Sequence, residues 1–176
     1  LNMSNIADIL ADVYKDRIAV YLDSGLAYKS FNSDKLTYGE ISGFVNRISN
    51  ALSRDFHVKR GERVVLCKDN GADFVGILLG IMKIGAVAVP LNNLLKEAEI
   101  RYIISDCSAR IVITDHEVFK RNIKETACFP TVKHWIISGF TDDESALKYT
   151  EKGFHLLNRL IDYSSDTAHS SKVNIA

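Results

Sequence analysis

Leu79-Gly80-Ile81-Met82-Lys83-Ile84-Gly85-Ala86-Val87-Ala88-Val89-Pro90-Leu91-Asn92 compresses the end of a helix, a glycine turn and a proline-closed strand into one short stretch. Extended from Phe74 to Leu95, the run is apolar enough to invite a membrane-spanning reading. Lys83 near its middle, Gly85 and the Val89-Pro90 pair argue against that, because charge and helix breakers are costly in lipid. A buried helix followed by a buried strand accounts for the same residues. Gly71, Gly76, Gly80 and Gly85 lie in or beside the helix. Each interior glycine costs up to about 1 kcal/mol of helix propensity, so the spacing predicts a backbone pressed against a sheet or another helix.

Outward from this stretch the same alternation repeats. Arg63–Cys67, Ala86–Val89, Arg110–Thr114 and Lys133–Ser138 read as short β-branched strands. Between them fall predicted helices over about 71–84, 94–105 and 116–126, with Asp69-Asn70, Asn92-Asn93 and Asp115 as their caps. Unalternating apolar strands between helices predict an α/β fold: a mainly parallel sheet with helices on both faces. Upstream, Asn5–Tyr14 is an amphipathic helix and Ile18–Leu22 a strand. Turns at Asp23-Ser24-Gly25 and Asn32–Lys35 suggest a small N-terminal hairpin. Thr37 and Glu40 make a capping box for a helix carrying Ile41, Phe44, Val45, Ile48 and Leu52. Downstream, 141–145 reads as a loop, Gly153–Ile161 as a last helix, and Ser164–Lys172 as a polar linker. One domain over 1–163 and a linker over 164–176 follow.

The chain has 176 residues, 47% of them hydrophobic and 25% charged, with 22 basic and 22 acidic side chains. Zero net charge gives no electrostatic reason to expect nucleic acid or an anionic membrane as partner. Cys67, Cys107 and Cys128 form no CxxC pair and read as reduced thiols of a cytoplasmic protein. No secretory signal is visible at the N-terminus.

Familiar catalytic patterns are missing. Gly80 and Gly85 have the glycine spacing of a phosphate loop, but Ala86-Val87 stands where Lys and Ser/Thr are needed. No GxGxxG follows a strand, and the five histidines show no metal-ligand spacing. Asp115-His116-Glu117 reads as a solvated helix cap. Ligands of open parallel sheets approach the carboxyl ends of the strands. Lys68-Asp69-Asn70, Pro90–Asn93, Thr114-Asp115-His116 and Ser138-Gly139 are therefore the first residues to test for binding.

The central stretch resembles the adenylate-forming superfamily, which includes acyl-CoA synthetases, aryl-CoA ligases, luciferases and peptide-synthetase adenylation domains. The resemblance rests on Leu36-Thr37-Tyr38-x-Glu40-Ile41, Val58-x-x-Gly61-x-Arg63-Val64 and Asn70-x-x-Asp73-Phe74. It continues through Leu79-Gly80-x-x-Lys83-x-Gly85-Ala86-Val87-x-Val89-Pro90-Leu91-Asn92 and Glu99-x-x-Tyr102-Ile103-Ile104-x-Asp106-x-x-Ala109-Arg110 to Ile113-Thr114-Asp115. Glu62, His57, Ile84 and Cys107 depart from its commoner residues.

The resemblance implies the N-terminal subdomain of an AMP-forming acid–CoA ligase. With ATP and Mg²⁺ such a ligase turns a fatty or other organic acid into an acyl-adenylate, then passes the acyl group to CoA. The family's Ser/Thr/Gly-rich ATP loop, metal-binding Glu, ribose-binding Asp and late Lys have no counterpart here, and Val173–Ala176 is similar to the lead-in to that loop. Thus no catalytic or metal residue is expected in this stretch, no bound cofactor, and no activity from it alone. Its partners would be the remainder of its own polypeptide and a small carboxylic acid. For CoA, the resemblance implies Pro90, Leu91 and Asn92 after the Val-Pro strand, with Lys120 or Arg121 for phosphate. A fatty-acyl-AMP ligase, an adenylation domain, and a stand-alone binding module that kept only the scaffold are the alternatives.

Overall fold

A computed structural model describes residues 5–22, 34–140, 143–164 and 166–167. Its centre is a five-stranded sheet of β3 (Arg63–Cys67), β4 (Val87–Pro90), β5 (Ile111–Asp115), β6 (His134–Ser138) and β7 (His155–Leu156). The order is β4-β3-β5-β6-β7 and every pairing is parallel. The predicted α/β architecture is therefore present. Antiparallel β1 (Ile18–Tyr21) and β2 (Lys35–Thr37) form a separate two-stranded ribbon. The turns expected at Asp23-Ser24-Gly25 and Asn32-Ser33 lie outside the described residues, as does most of the predicted linker.

Side-chain alternation sorts the strands into two cores. Val64, Leu66, Ile111, Ile113 and Ile136 face one cluster. It is completed by α2 (Tyr38–Arg54), α3 (Ala72–Lys83) and α7 (Leu157–Asp162). Val65, Val112, Trp135 and Ile137 face the other, which α4 (Glu97–Asp106) and α5 (His116–Asn122) cover. Burial on both faces removes the polar–apolar alternation that marks a half-exposed strand.

Thr37 and Glu40 cap α2 reciprocally: the Glu40 amide donates to Thr37 Oγ1 at 3.2 Å and the Thr37 amide to Glu40 Oε2 at 2.7 Å. The helix then packs on α3 where the latter has no side chains. A Cβ on Gly76 would sit 2.4 Å from the Phe44 ring, and one on Gly80 2.5 Å from Ile48. Buried Lys83 donates to Asp8 of α1 (Ile6–Tyr14) and to Asn46 of α2. Asn46 Nδ2 also reaches the Asp166 carbonyl at 2.9 Å, and Asn50 Nδ2 the Thr167 carbonyl at 3.1 Å.

Several boundaries differ from expectation. Asn92 does not open α4: its Oδ1 accepts the Leu94 amide at 2.9 Å in a local turn, and the helix starts at Glu97. α5 ends at Asn122, because Ile123 turns extended into the core, and a 3-10 turn follows at Thr126–Cys128. Part of the loop expected over 141–145 is helical, since α6 spans Asp143–Glu151. The first residues of the helix expected over 153–161 instead add strand β7 to the sheet.

His134 and His155 begin adjacent strands, and His134 Nδ1 lies 3.2 Å from His155 Nε2. Burial holds both imidazoles below their usual pKa; His155 opposes further charge on His134, while Asp55 partly offsets the shift at His155. A lowered histidine pKa adds stability that is complete above the unfolded value near 6.5 and is lost as pH falls through the folded value. Thermal melts should therefore fall between pH 7 and 5 more steeply in the parent protein than in His155→Gln. Equal slopes would exclude the pair as a contributor.

Candidate functional site at the carboxyl edge of the sheet

β4 lies on one side of β3 and β5 on the other, so the chain reverses direction across the sheet between β3 and β5. In open parallel sheets this switch point is where ligands approach. The segments leaving these strands meet there.

Asp115, the last residue of β5, is the hub. Its Oδ2 accepts the Asp69 amide at 3.0 Å, and its Oδ1 accepts the Ser138 hydroxyl at 2.6 Å. Lys68 Nζ lies 3.2 Å from that Oδ1 and 2.6 Å from Asp73 Oδ2. These demands explain why Asp115, at the N-cap position of α5, makes no side-chain cap. Asp69 likewise turns away from α3, and its Oδ1 accepts the Asn93 side-chain amide. His116 is not solvated as expected: its ring stacks on Phe140, centroids 4.6 Å apart, and meets the edge of Tyr149. Glu117 remains exposed.

The five residues singled out for CoA are only partly brought together. Pro90 and Asn92 are exposed at the end of β4, but the Leu91 side chain is buried in the second core. Its amide is bound to the Leu66 carbonyl. Lys120 is exposed beside Glu117. Arg121 reaches back to the β4 loop, with Nη2 3.2 Å from the Asn93 carbonyl and Nε 3.2 Å from Asn122 Oδ1. Asn122 Nδ2 donates to the same Asn93 carbonyl at 2.6 Å.

Beside this contact lies a groove of about 740 Å³ between the start of α4 and the end of α5. Lys96, Arg101, Arg121 and Lys124 line it, along with Glu97 and Glu125. Among the described residues, none of those four cations is ion-paired to a carboxylate. Lys96, Arg101 and Lys124 were not foreseen from sequence, because they come from separate turns with no shared motif. The groove suits an anion with several acceptor oxygens.

Cys67 is not poised as a nucleophile at this edge. Cys67 is buried at the end of β3, and that burial pushes its thiol up to about 11, with Arg121 opposing the effect and Asp115 and Asp69 adding to it. It stays protonated at neutral pH. Among the described residues, no group of three or more His, Cys, Asp or Glu side chains could hold a metal, and no helix is long and apolar enough to cross a membrane.

The parallel sheet agrees with the comparisons to known proteins. The chain belongs to the AMP-binding enzyme family, which matches residues 9–167. It is 29% identical over 126 residues to a benzoate–CoA ligase of Thauera aromatica, covering 72% of this chain and 22% of that protein. To a 3-hydroxybenzoate–CoA ligase of Aromatoleum sp. (strain CIB) it is 44% identical over 82 residues, 47% of this chain and 16% of the relative. The crystal structure of an anthranilate CoA ligase in complex with anthranoyl-AMP superimposes with a TM-score of 0.79 at 27% identity, covering 98% of this chain and 30% of that one. The chain thus spans less than a third of each of these proteins.

Proposed function

We propose that this protein works as the N-terminal lobe of an AMP-forming acid–CoA ligase in the cytoplasm, residues 1–163 forming the lobe and 164–176 leading out of it. The family match over 9–167 carries this reading. The whole enzyme would join an organic acid to AMP at the expense of ATP and then transfer the acyl group to CoA. Relatives named for aromatic acids stand beside a relative named for long-chain fatty acids, so both acid classes are substrates to test.

This chain's own residues fit one part of that chemistry. Arg121, lining the groove with Arg101 and Lys124, suits a phosphate of CoA, and the family resemblance adds Pro90, Asn92 and Lys120, which do not line the groove, as further contacts to test. The residues do not fit the ATP triphosphate or Mg²⁺: no Ser/Thr/Gly-rich loop occurs in the sequence. Adenylate chemistry therefore belongs to other residues than these, and this lobe supplies scaffold and CoA contact.

Two assays test the reading. The 176-residue chain, given ATP, Mg²⁺ and benzoate, should release no pyrophosphate above background. A longer protein that includes this chain should form AMP dependent on both acid and CoA. If AMP forms with acid but shows no CoA dependence, an acyl-AMP ligase or adenylation domain takes its place. If the reading frame ends with this lobe, a binding module does.

A further inference from the structure

Arg121 is anchored in an unusual way for a surface arginine. Its Nε and Nη2 are fixed by two neutral oxygens, Asn122 Oδ1 and the Asn93 carbonyl, while no bond is made by Nη1 among the described residues. Neutral acceptors orient the guanidinium plane without cancelling its charge. The free edge can then meet two oxygens of an anion at a fixed angle.

What holds Asn93 in turn is the polar network of the sheet edge. The Asn93 side chain donates to Asp69 Oδ1, and the Asp69 amide donates to Asp115 Oδ2. Asp115 is itself tied to buried Lys68 and to Ser138. The path therefore runs from the ends of β5 and β6, through the end of β3, to the loop after β4, and finishes at Arg121. Each link is a hydrogen bond between segments that leave different strands.

We propose that Asn93 and Asp69 are positioning residues for CoA: they set the β4 loop so that its carbonyl presents Arg121 to a phosphate of the coenzyme. The proposal rests on the CoA reading of the groove. Asp69 and Asn93 act through Arg121 and do not themselves contact the ligand. Loss of either lets the loop carbonyl drift, so that Arg121 keeps its Nε bond to Asn122 but loses the Nη2 bond that fixes the guanidinium plane, which lowers affinity without removing the charge.

A double-mutant cycle on a longer protein containing this chain separates positioning from a general structural role. CoA binding is measured by calorimetry and, alongside it, KM for CoA, ATP and acid. Arg121→Ala should weaken CoA by about 10- to 100-fold, as for a lost charged hydrogen bond. Asn93→Ala and Asp69→Ala should each weaken it by about 3- to 10-fold, with KM for ATP and acid unchanged. Asp69→Asn, which keeps an oxygen acceptor, should restore most of the Asp69→Ala loss. Asn93→Ala should add nothing in the Arg121→Ala background. If Arg121→Ala leaves CoA binding intact, the CoA reading of the groove is wrong and the proposal goes with it. If Arg121→Ala weakens CoA but Asn93→Ala does not, or the two losses add, the groove reading survives and the positioning role is overturned. Asp69→Ala supplies the same comparison if Asn93→Ala fails to fold.

Discussion

Lys68→Ala should destabilise the protein by about 3–5 kcal/mol, the cost of leaving a buried charge network without its cation. Lys68 is 5% exposed and lies between Asp73 and Asp115. Removing it leaves two carboxylates near one another at the end of β3, with Asp73 keeping the Phe74 amide and Asp115 keeping the Asp69 amide and Ser138. A domain of this size has about 5–15 kcal/mol to lose, so the variant should unfold at far lower urea. Lys68→Met combined with Asp73→Leu should recover part of the loss, since an apolar pair of similar volume needs no desolvated partner. A Lys68→Ala midpoint within experimental error of the parent would show that water reaches this site and that the network is not sealed.

Gly80→Ala is the second large effect, a loss of about 1–3 kcal/mol despite alanine's better helix propensity. The new methyl carbon would meet Ile48 Cγ2 at 2.5 Å and the Val45 backbone carbonyl at 3.2 Å. Ile48 is itself 2% exposed and has little space to retreat into. Gly43 in α2 offers the contrasting case, because its nearest atom, Asp166 Cβ, is 3.7 Å away. Gly43→Ala should be neutral or stabilise by up to about 1 kcal/mol. Chemical denaturation of the two variants gives opposite signs if helix contact sets the requirement. Stabilisation at both positions would mean that propensity alone governs them.

Much of this fold is legible in the sequence for physical reasons. Strands buried on both faces leave unbroken β-branched runs, as in Arg63–Cys67 and Ile111–Asp115, and α2 announces its start through Thr37 and Glu40. The glycine spacing of α3 correctly implied a backbone pressed against a neighbour. β7 escaped notice because a two-residue strand has no period to read, and its pairing with β6 is a tertiary event. In the sequence Asp69 and Asp115 look like caps, because a carboxylate before a helix has the same signature whether it bonds its own helix or a neighbouring loop. The strand-end residues do meet at one edge of the sheet, but the cations of the groove are contributed by segments that only folding brings side by side. Leu91 shows the converse: it sits in a matched motif, yet its side chain belongs to the core.

Asn46 carries a last implication. One amide side chain on α2 touches Asp8 near the start of the described chain and Asp166 near its finish. α2 therefore ties the first described helix to the last described residues, and loss of the Asn46 amide would loosen both at once without touching any strand pairing of the sheet.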